Sequence, residues 1–201
     1  MDKCFQIGDF TFRLIMPEEI MPPPNFMLFE RENVQPQYCY TIRIGEVFPV
    51  LSGEVTATRN DLIVYRDGEL ESRLIGVKGR AGYYARYQEL TASEAVVILD
   101  QNRLSSLHID PVFSSLLALE RRQIGLDALI LHCAYVEYEG EAILFSAPSE
   151  TGKTTQANLW EKYKNARTVN GDRALLQKKD GRWVARGWPV CGSSVYASIS
   201  T

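Results

Sequence analysis

The sequence has little of what zinc sites, disulfide frameworks and membrane spans require. Its 201 residues include 4 cysteines and 2 histidines, and no two cysteines form a C-x-x-C pair. This scarcity argues against a zinc site, and a chain of this size does not need disulfide bonds to hold its core. No apolar run approaches the roughly 18 residues of a transmembrane helix, and the N-terminus lacks a signal-peptide pattern. We therefore expect a cytoplasmic protein with no membrane partner.

The chain also lacks a strong excess of charge of either sign. It carries 22 Lys and Arg against 25 Asp and Glu, a formal net charge of -3. A nucleic-acid or anionic-membrane surface would need a basic excess, so neither partner is expected. The apolar content of 45% is that of an ordinary globular protein, long enough for one large domain or two small ones.

The first half of the chain is predicted to form short strands joined by tight turns. Alternating apolar residues flank Gly8-Asp9 over residues 3–16, which is typical of a β-hairpin. Further alternating segments follow over residues 25–99, with Asp67-Gly68 as a strong hairpin turn. The turn signals recur at the spacing of an antiparallel sheet. We therefore predict an antiparallel β-rich domain over residues 1–109.

The second half, residues 110–201, is predicted to be an α/β domain with a mixed sheet. Asp110-Pro111 is typical of a helix start, and apolar residues at helical spacing extend that helix to Ile124. Residues 129–138 read as one long strand, which turns back at Glu139-Gly140-Glu141. The whole chain is thus assigned to the α/β class with an α+β tendency, its β-rich region preceding a nucleotide-binding domain.

The most informative stretch reads A-I-L-F-S-A-P-S-E-T-G-K-T-T and runs from a strand, through a loop over residues 147–152, into a helix at Lys153. Such a P-loop holds polyphosphate with its N–H groups, while its lysine reaches the β- and γ-phosphates and its first threonine ligates magnesium. The pattern departs from the strict motif because Ala147 takes the first-glycine position. Glu150 is expected to face outward, because a carboxylate inside the cradle would repel phosphate. The predicted nucleotide-binding residues are Ala147, Pro148, Ser149, Glu150, Thr151, Gly152, Lys153, Thr154, Thr155 and Arg173. The alternative is an ordinary strand–turn–helix with a surface lysine.

A second carboxylate is needed to hold the metal or to activate an acceptor hydroxyl, and Asp172 meets that need. It follows the strand after the loop helix, although a turn aspartate in N-G-D is the alternative. Arg173 could pair with phosphate or with Asp172, or be a surface arginine. His132 is a third catalytic candidate beside Asp172 and Lys153, and a buried structural histidine is its alternative. Thr154 and Asp172 are the predicted metal ligands. Cys191 could line the pocket or simply pack there.

These segments resemble the catalytic domain of the HPr kinase/phosphorylase family. The resemblance lies in L-H-C-A-Y-V-E-Y-E-G-E-A-I-L-F-S-A-P-S-E-T-G-K-T-T-Q-A, and the E-T-G-K-T-T core also resembles the loop of phosphoenolpyruvate carboxykinase, which shares that fold. V-N-G-D-R is similar to the acidic segment of both families, and W-P-V-C-G-S-S is similar to a segment of uncharacterised or peptide-modifying HPr-kinase-like proteins. The match covers roughly residues 124–194.

The resemblance implies ATP-dependent phosphorylation of a serine on a peptide or small protein. Asp172 would be the base or metal ligand, Lys153 and Thr154 would be nucleotide ligands, and ATP and Mg²⁺ would be the cofactors; a homo-oligomer is possible, since such kinases often form one. Arg173 stands where the families usually have a second aspartate, and Thr155 replaces an acidic residue. Relatives also continue further beyond the W-P-V-C-G segment. Two alternatives follow: a nucleotide-binding regulatory or scaffold protein without transfer activity, and a small-molecule kinase or carboxykinase relative.

Overall fold

A computed structural model describes residues 1–49, 52–77, 79 and 82–191. The protein is mixed α/β and rich in strands, with few helices. It divides into two compact units. The first comprises Met1–Phe5, Thr11–Pro23 and Glu30–Ala118, and the second comprises Gln6–Phe10, Pro24–Phe29 and the described chain from Leu119 onward. The domain boundary predicted between residues 109 and 110 stays a prediction.

An eight-stranded sheet dominates the first part of the chain. Its strands are β1 Asp2–Ile7, β2 Phe10–Ile15, β3 Tyr38–Ile44, β4 Glu54–Arg59, β5 Leu62–Asp67, β6 Leu70–Gly76, β7 Tyr83–Thr91 and β8 Glu94–Leu99. They lie in the order β1-β2-β3-β8-β7-β6-β5-β4. The predicted hairpins around Gly8 and Gly68 are confirmed, because β1 leads directly into β2 and β5 pairs with β6 across two-residue turns.

The prediction of an antiparallel N-terminal sheet was wrong for one strand. β3 runs parallel to β2 on one side and parallel to β8 on the other, so the sheet is mixed. Parallel neighbours need a long connection that returns the chain to the same end. Residues 16–37 provide that connection between β2 and β3, and four intervening strands separate β3 from β8.

One face of this sheet forms an apolar core with a polar cluster at its edge. The rings of Phe5 and Phe12 stack at 5.5 Å, and Tyr40 meets Phe12 edge-on at 5.3 Å. Across β6 and β7, the buried Glu71 carboxylate accepts a hydrogen bond from Arg73 Nε at 2.7 Å, and the Tyr87 hydroxyl donates to Glu89 Oε1 at 3.0 Å. Buried carboxylates persist only when donors satisfy them in this way.

The single helix predicted from Asp110 to Ile124 was also wrong. After the short helix α1 Pro24–Met27 and a 3₁₀ turn at Gln101–Ser106, the chain forms α2 Asp110–Ser115 and then α3 Leu119–Ile124. Ala118 separates α2 from α3 with a φ of +47°, and a right-handed helix cannot continue through that conformation. The helix start at Asp110 is confirmed.

The second unit contains two three-stranded sheets and one longer helix. Its elements are β9 Ala128–His132, β10 Ala134–Tyr138, β11 Glu141–Phe145, α4 Lys153–Lys164, β12 Arg167–Asn170, β13 Arg173–Lys179 and β14 Arg182–Arg186. One sheet has the order β11-β10-β12 and the other β14-β13-β9. All pairings described in this unit are antiparallel, so the mixed sheet predicted for it occurs instead in the eight-stranded sheet.

The long strand predicted over residues 129–138 is in fact two strands. β9 and β10 belong to different sheets, and Cys133 is the residue between them. Buried Cys133, Tyr135, Val169 and Ala174 form one cluster that draws on strands of both sheets. Apolar residues lie on both sides of the break, with His132 as the one polar residue over 128–136, which explains why sequence periodicity did not reveal it.

Helix α4 packs on the sheet of β10 through a narrow apolar face. Ala157 is its buried residue, and Trp160 meets the ring of Tyr138 edge-on at 5.4 Å. Two other large apolar side chains of α4, Leu159 and Tyr163, are 40% and 68% exposed. No helix in the described part of the chain is long and apolar enough to cross a membrane.

Candidate functional site

The loop over residues 147–152 joins β11 to α4, which confirms the strand–loop–helix arrangement expected from the sequence. Two residues in it have left-handed backbone, Glu150 with a φ of +65° and Gly152 with a φ of +93°. Alternation between left- and right-handed residues turns successive N–H groups toward a common concavity, which is a geometry that binds anions. Gly152 meets this need without strain because it has no Cβ.

Two side chains, one in the loop and one at the start of α4, donate hydrogen bonds to carbonyl oxygens at the beginning of the loop. Lys153 Nζ donates to the carbonyl oxygens of Ala147 and Pro148, both at 3.0 Å, and Thr151 Oγ1 donates to Pro148 O at 2.7 Å. Within the described residues, no group accepts a hydrogen bond from the N–H groups of residues 149–153. Some of these N–H groups are expected to lack a backbone partner, because the first N–H groups of a helix have no acceptor within the helix. The loop thus combines a lysine with a row of available donors.

A second group of polar residues lies where the chain passes between the two sheets. Cys133 marks the passage from β9 to β10, and Gly171-Asp172 marks the passage from β12 to β13. The N–H of Cys133 donates to the carbonyl oxygen of Asp172 at 3.0 Å. This hydrogen bond fixes the two passages against each other and so holds the backbone of Asp172 beside the end of β9.

Asn170 holds the same turn through hydrogen bonds of its side chain. Its role was not predicted from the sequence. It is fully buried, and its Oδ1 accepts from the N–H groups of Asp172 and Arg173, both at 2.9 Å. Its Nδ2 donates to the carbonyl oxygens of Trp188 at 2.9 Å and Val190 at 3.1 Å. The N-G-D sequence contained the signal, since an asparagine often accepts from the N–H two residues later.

The side chains of His132, Asp172 and Arg173 come together at this turn. Asp172 Oδ1 lies 3.4 Å from His132 Nε2, and Asp172 Oδ2 accepts from Arg173 Nε at 3.2 Å. His132 and Arg173 face each other as partners in the pairing of β9 with β13. The alternative reading of His132 as a buried structural residue was wrong, because its side chain is 50% exposed.

His132 also connects this cluster to the loop. Its carbonyl oxygen accepts from Ser146 Oγ at 3.2 Å, and Ser146 is the residue that leads from β11 into the loop. The buried Cys133 thiol is influenced by charges of both groups. Burial is the main cause that raises the pKa of Cys133 to about 11; Asp172 raises it further and Lys153 lowers it. The charges of both the loop lysine and Asp172 therefore act on one buried group.

Thr154 and Asp172 offer the oxygen atoms that could hold a magnesium ion. Thr154, exposed in the first turn of α4, offers a hydroxyl, and half-buried Asp172 offers a carboxylate. Mg²⁺ commonly takes one or two protein ligands and completes its shell with phosphate oxygens and water. In the described ranges no three His, Cys, Asp or Glu side chains gather as an all-protein metal site would require.

The remaining predicted residues lie in the exposed part of the loop and helix. Ala147, Pro148, Ser149, Glu150 and Thr155 are all exposed. Cys191 is buried, with its sulfur 3.6 Å from Asn170 Nδ2, while residues 192–194 lie outside the described chain.

A groove of about 780 Å³ in the same unit is separate from these residues. It is lined mainly by strand residues of the two three-stranded sheets, among them Tyr135, Leu144, Leu176 and Trp183. None of the predicted site residues lines it. Glu141, the first residue of β11, borders the groove, whereas the loop follows the other end of that strand. A loop that binds phosphate through backbone N–H groups does not require an enclosed cavity, so the loop remains the candidate site.

The chain matches no protein-family model, no curated protein and no solved structure. The resemblance to HPr-kinase-like proteins therefore stays a prediction from the motifs, and so do the family's fold and activity.

Proposed function

We propose that the protein binds ATP with Mg²⁺ and transfers the γ-phosphate to a serine hydroxyl of a peptide or small protein. The observation that carries the proposal is the position of His132. Its carbonyl oxygen holds Ser146 at the entry of the loop, and its imidazole faces Asp172. A single residue thus joins a loop with available N–H donors to a carboxylate. Phosphoryl transfer requires both parts, one to hold the phosphates and one to orient the acceptor.

In this proposal the loop N–H groups hold the phosphate oxygens of the nucleotide. Lys153 Nζ leaves the carbonyl oxygens of Ala147 and Pro148, which are neutral acceptors, for the more strongly binding phosphates. The Thr154 hydroxyl and one oxygen of the Asp172 carboxylate would hold the metal, which leaves the other oxygen to accept a proton. When bound, Mg²⁺ neutralises the charge that develops on the phosphate oxygens.

Asp172 is then the group that prepares the acceptor. The serine oxygen attacks the γ-phosphorus, the bond between the γ-phosphorus and the β–γ bridging oxygen breaks, and ADP leaves. The serine proton passes to Asp172. A base held in place by the Asn170 and Cys133 backbone contacts loses little entropy on reaction, which is the advantage of a positioned catalytic group.

The test is incubation with γ-labelled ATP, Mg²⁺ and a library of serine-containing peptides, followed by analysis for phosphoserine. We expect transfer by the wild type and a loss of roughly 100-fold or more for Asp172→Asn, since general bases contribute about 10²–10⁴-fold. Asp180→Asn is the matched control because Asp180 is an exposed turn aspartate in the β13–β14 hairpin. Equal transfer by Asp172→Asn and the wild type would contradict the assignment.

A second function is favoured by the Asp172–Arg173 ion pair. Because Arg173 occupies one carboxylate oxygen, the protein could bind nucleotide as a regulatory protein without transferring phosphate. Tight ATP binding without phosphorylation of any peptide in the library would support this second function.

A further inference from the structure

Both oxygens of the Asp172 carboxylate are already engaged. One lies 3.4 Å from His132 Nε2 and the other accepts from Arg173 Nε at 3.2 Å. Each oxygen keeps a further lone pair, but the positive charge of Arg173 beside Oδ2 weakens the carboxylate as a base and as a metal ligand. Asp172 therefore becomes a stronger base and a stronger metal ligand if Arg173 moves away from it.

Arg173 is the partner whose side chain has the exposure and the remaining hydrogen-bond donors to move to another acceptor. Its contact with Asp172 uses Nε, and in the described part of the chain no acceptor pairs with its Nη1 and Nη2 groups. A guanidinium has five N–H donors, so most of its hydrogen-bonding capacity is available. Its side chain is 42% exposed and can reorient without breaking core packing. A planar fork of donors is the shape that binds phosphate through two parallel hydrogen bonds.

The backbone of Arg173 is linked to the entry of the loop through His132. Arg173 opens β13 directly opposite His132, whose carbonyl oxygen holds Ser146 at the loop entry. Its N–H is fixed by Asn170 Oδ1 at 2.9 Å, so the backbone from which the guanidinium extends is held while the side chain remains exposed. A terminal phosphate held by the loop would therefore compete with Asp172 for the same guanidinium.

We infer that Arg173 senses the terminal phosphate of the bound nucleotide and releases Asp172 when it does so. With a nucleoside triphosphate, Nη1 and Nη2 bind the γ-phosphate and Nε leaves Asp172 Oδ2. With a diphosphate, that phosphate is missing and Arg173 keeps the carboxylate engaged. The inference rests on the proposed nucleotide site. It adds a selectivity for nucleoside triphosphates, and it makes Asp172 a stronger base only when a γ-phosphate is bound.

The experiment measures the affinities of a non-hydrolysable ATP analogue and of ADP by titration calorimetry, for the full chain and its variants. The wild type is expected to bind the triphosphate more tightly. Arg173→Gln is expected to lower triphosphate affinity by about 10- to 100-fold, the usual range for a hydrogen bond to a charged group, and to change ADP affinity by less than about twofold. Arg173→Lys, which keeps the charge but not the fork, is expected to recover part of the loss.

Arg167→Gln is the matched control. Arg167 is an exposed arginine in the same unit and is paired with the Glu137 carboxylate, away from the loop. It is expected to leave both affinities unchanged. The inference is overturned if Arg173→Gln lowers ATP-analogue and ADP affinity equally or changes neither, while the wild type binds both. If the wild type binds neither nucleotide, the proposed function itself fails and the inference fails with it. If Arg173→Gln does not fold, the comparison of Arg173→Lys with Arg167→Lys decides in the same way.

Discussion

The N–H of Cys133 donates a hydrogen bond to the carbonyl oxygen of Asp172 at 3.0 Å, and this bond joins the two points where the chain crosses between its three-stranded sheets. At each crossing a residue leaves the regular ladder, so its backbone is free to make a contact that a strand residue would make within the sheet. The position of the candidate base is therefore a consequence of the way in which the two sheets are connected.

Replacing Lys153 should abolish most nucleotide binding. Lys153→Met removes an ammonium whose hydrogen bonds to charged phosphates are worth about 1.5–3 kcal/mol, so ATP affinity should fall by about 10- to 100-fold in calorimetric titrations. Lys162→Met is the control, since Lys162 is exposed in the last turn of the same helix and lies over the ring of Tyr163. Unchanged ATP affinity in Lys153→Met would show that the loop is not the nucleotide site.

Replacing Asn170 should destabilise the second unit although Asn170 is not proposed to touch the nucleotide. Asn170→Ala leaves two N–H groups and two carbonyl oxygens without their partner, at about 1–3 kcal/mol for each unsatisfied group, so we expect a total loss of about 4 kcal/mol or more. Chemical denaturation measures this loss. Asn158→Ala, on the exposed face of α4, should change the free energy of unfolding by less than about 0.5 kcal/mol. A comparable effect of both variants would argue against the role assigned to Asn170.

Substitutions at Gly8 and Gly68 should distinguish the cost of backbone strain from the cost of steric overlap. Gly8 and Gly68 both open two-residue hairpin turns, with φ of +62° and +59°. A Cβ on Gly8 would lie 2.6 Å from Leu175 Cδ2, whereas one on Gly68 would meet nothing within 4 Å. Gly68→Ala should thus cost only the left-handed strain, about 1 kcal/mol, and Gly8→Ala about 2–4 kcal/mol because overpacking is added.

Denaturation of both glycine variants in urea tests this difference. Equal losses would mean that the Gly8 turn does not pack against Leu175 in solution.

The buried tyrosines should make the protein sensitive to alkali. Burial is the first cause that raises the pKa of Tyr87, with Tyr40, Tyr38 and Glu89 adding to it, and burial also raises the pKa of Tyr84. Because the folded pKa lies above the unfolded value near 10, the folded protein keeps protons that the unfolded chain releases. The associated stability is complete below about pH 10 and decreases as the pH rises beyond it.

Unfolding midpoints measured between pH 8 and 11 check this prediction, with absorbance at 295 nm reporting ionised tyrosine. Tyr87→Phe should show a shallower decrease above pH 10 than the wild type. Tyr65→Phe, a half-buried tyrosine on β5, serves as the control and should keep the wild-type slope. Identical slopes for Tyr87→Phe and the wild type would contradict the burial of Tyr87.

Features that depend on neighbours in sequence were predictable. The dipeptides at Gly8, Gly68, Gly140 and Gly181 each sit in a hairpin turn, because a glycine accepts positive φ wherever it occurs. The strand–loop–helix from β11 to α4 was predictable for the same reason, since its glycine, lysine and apolar strand act within a few residues of one another. His132, Asp172 and Arg173 were identified by residue type and position, and the pairing of Arg173 with Asp172 was one of the predicted alternatives, whereas the contact of His132 with Asp172 was not predicted.

Only the tertiary structure determined where His132, Asp172 and Arg173 meet. The parallel pairing of β3 and the contact of Cys133 with Asp172 join residues far apart in sequence, which no local pattern encodes. Asn170 shows this most clearly, because its importance comes from carbonyl oxygens of residues 188 and 190 that only folding brings to it. Local conformational preferences determine where turns and helices begin. The positions where the chain crosses between sheets are determined by the need to give every buried polar group a hydrogen-bond partner.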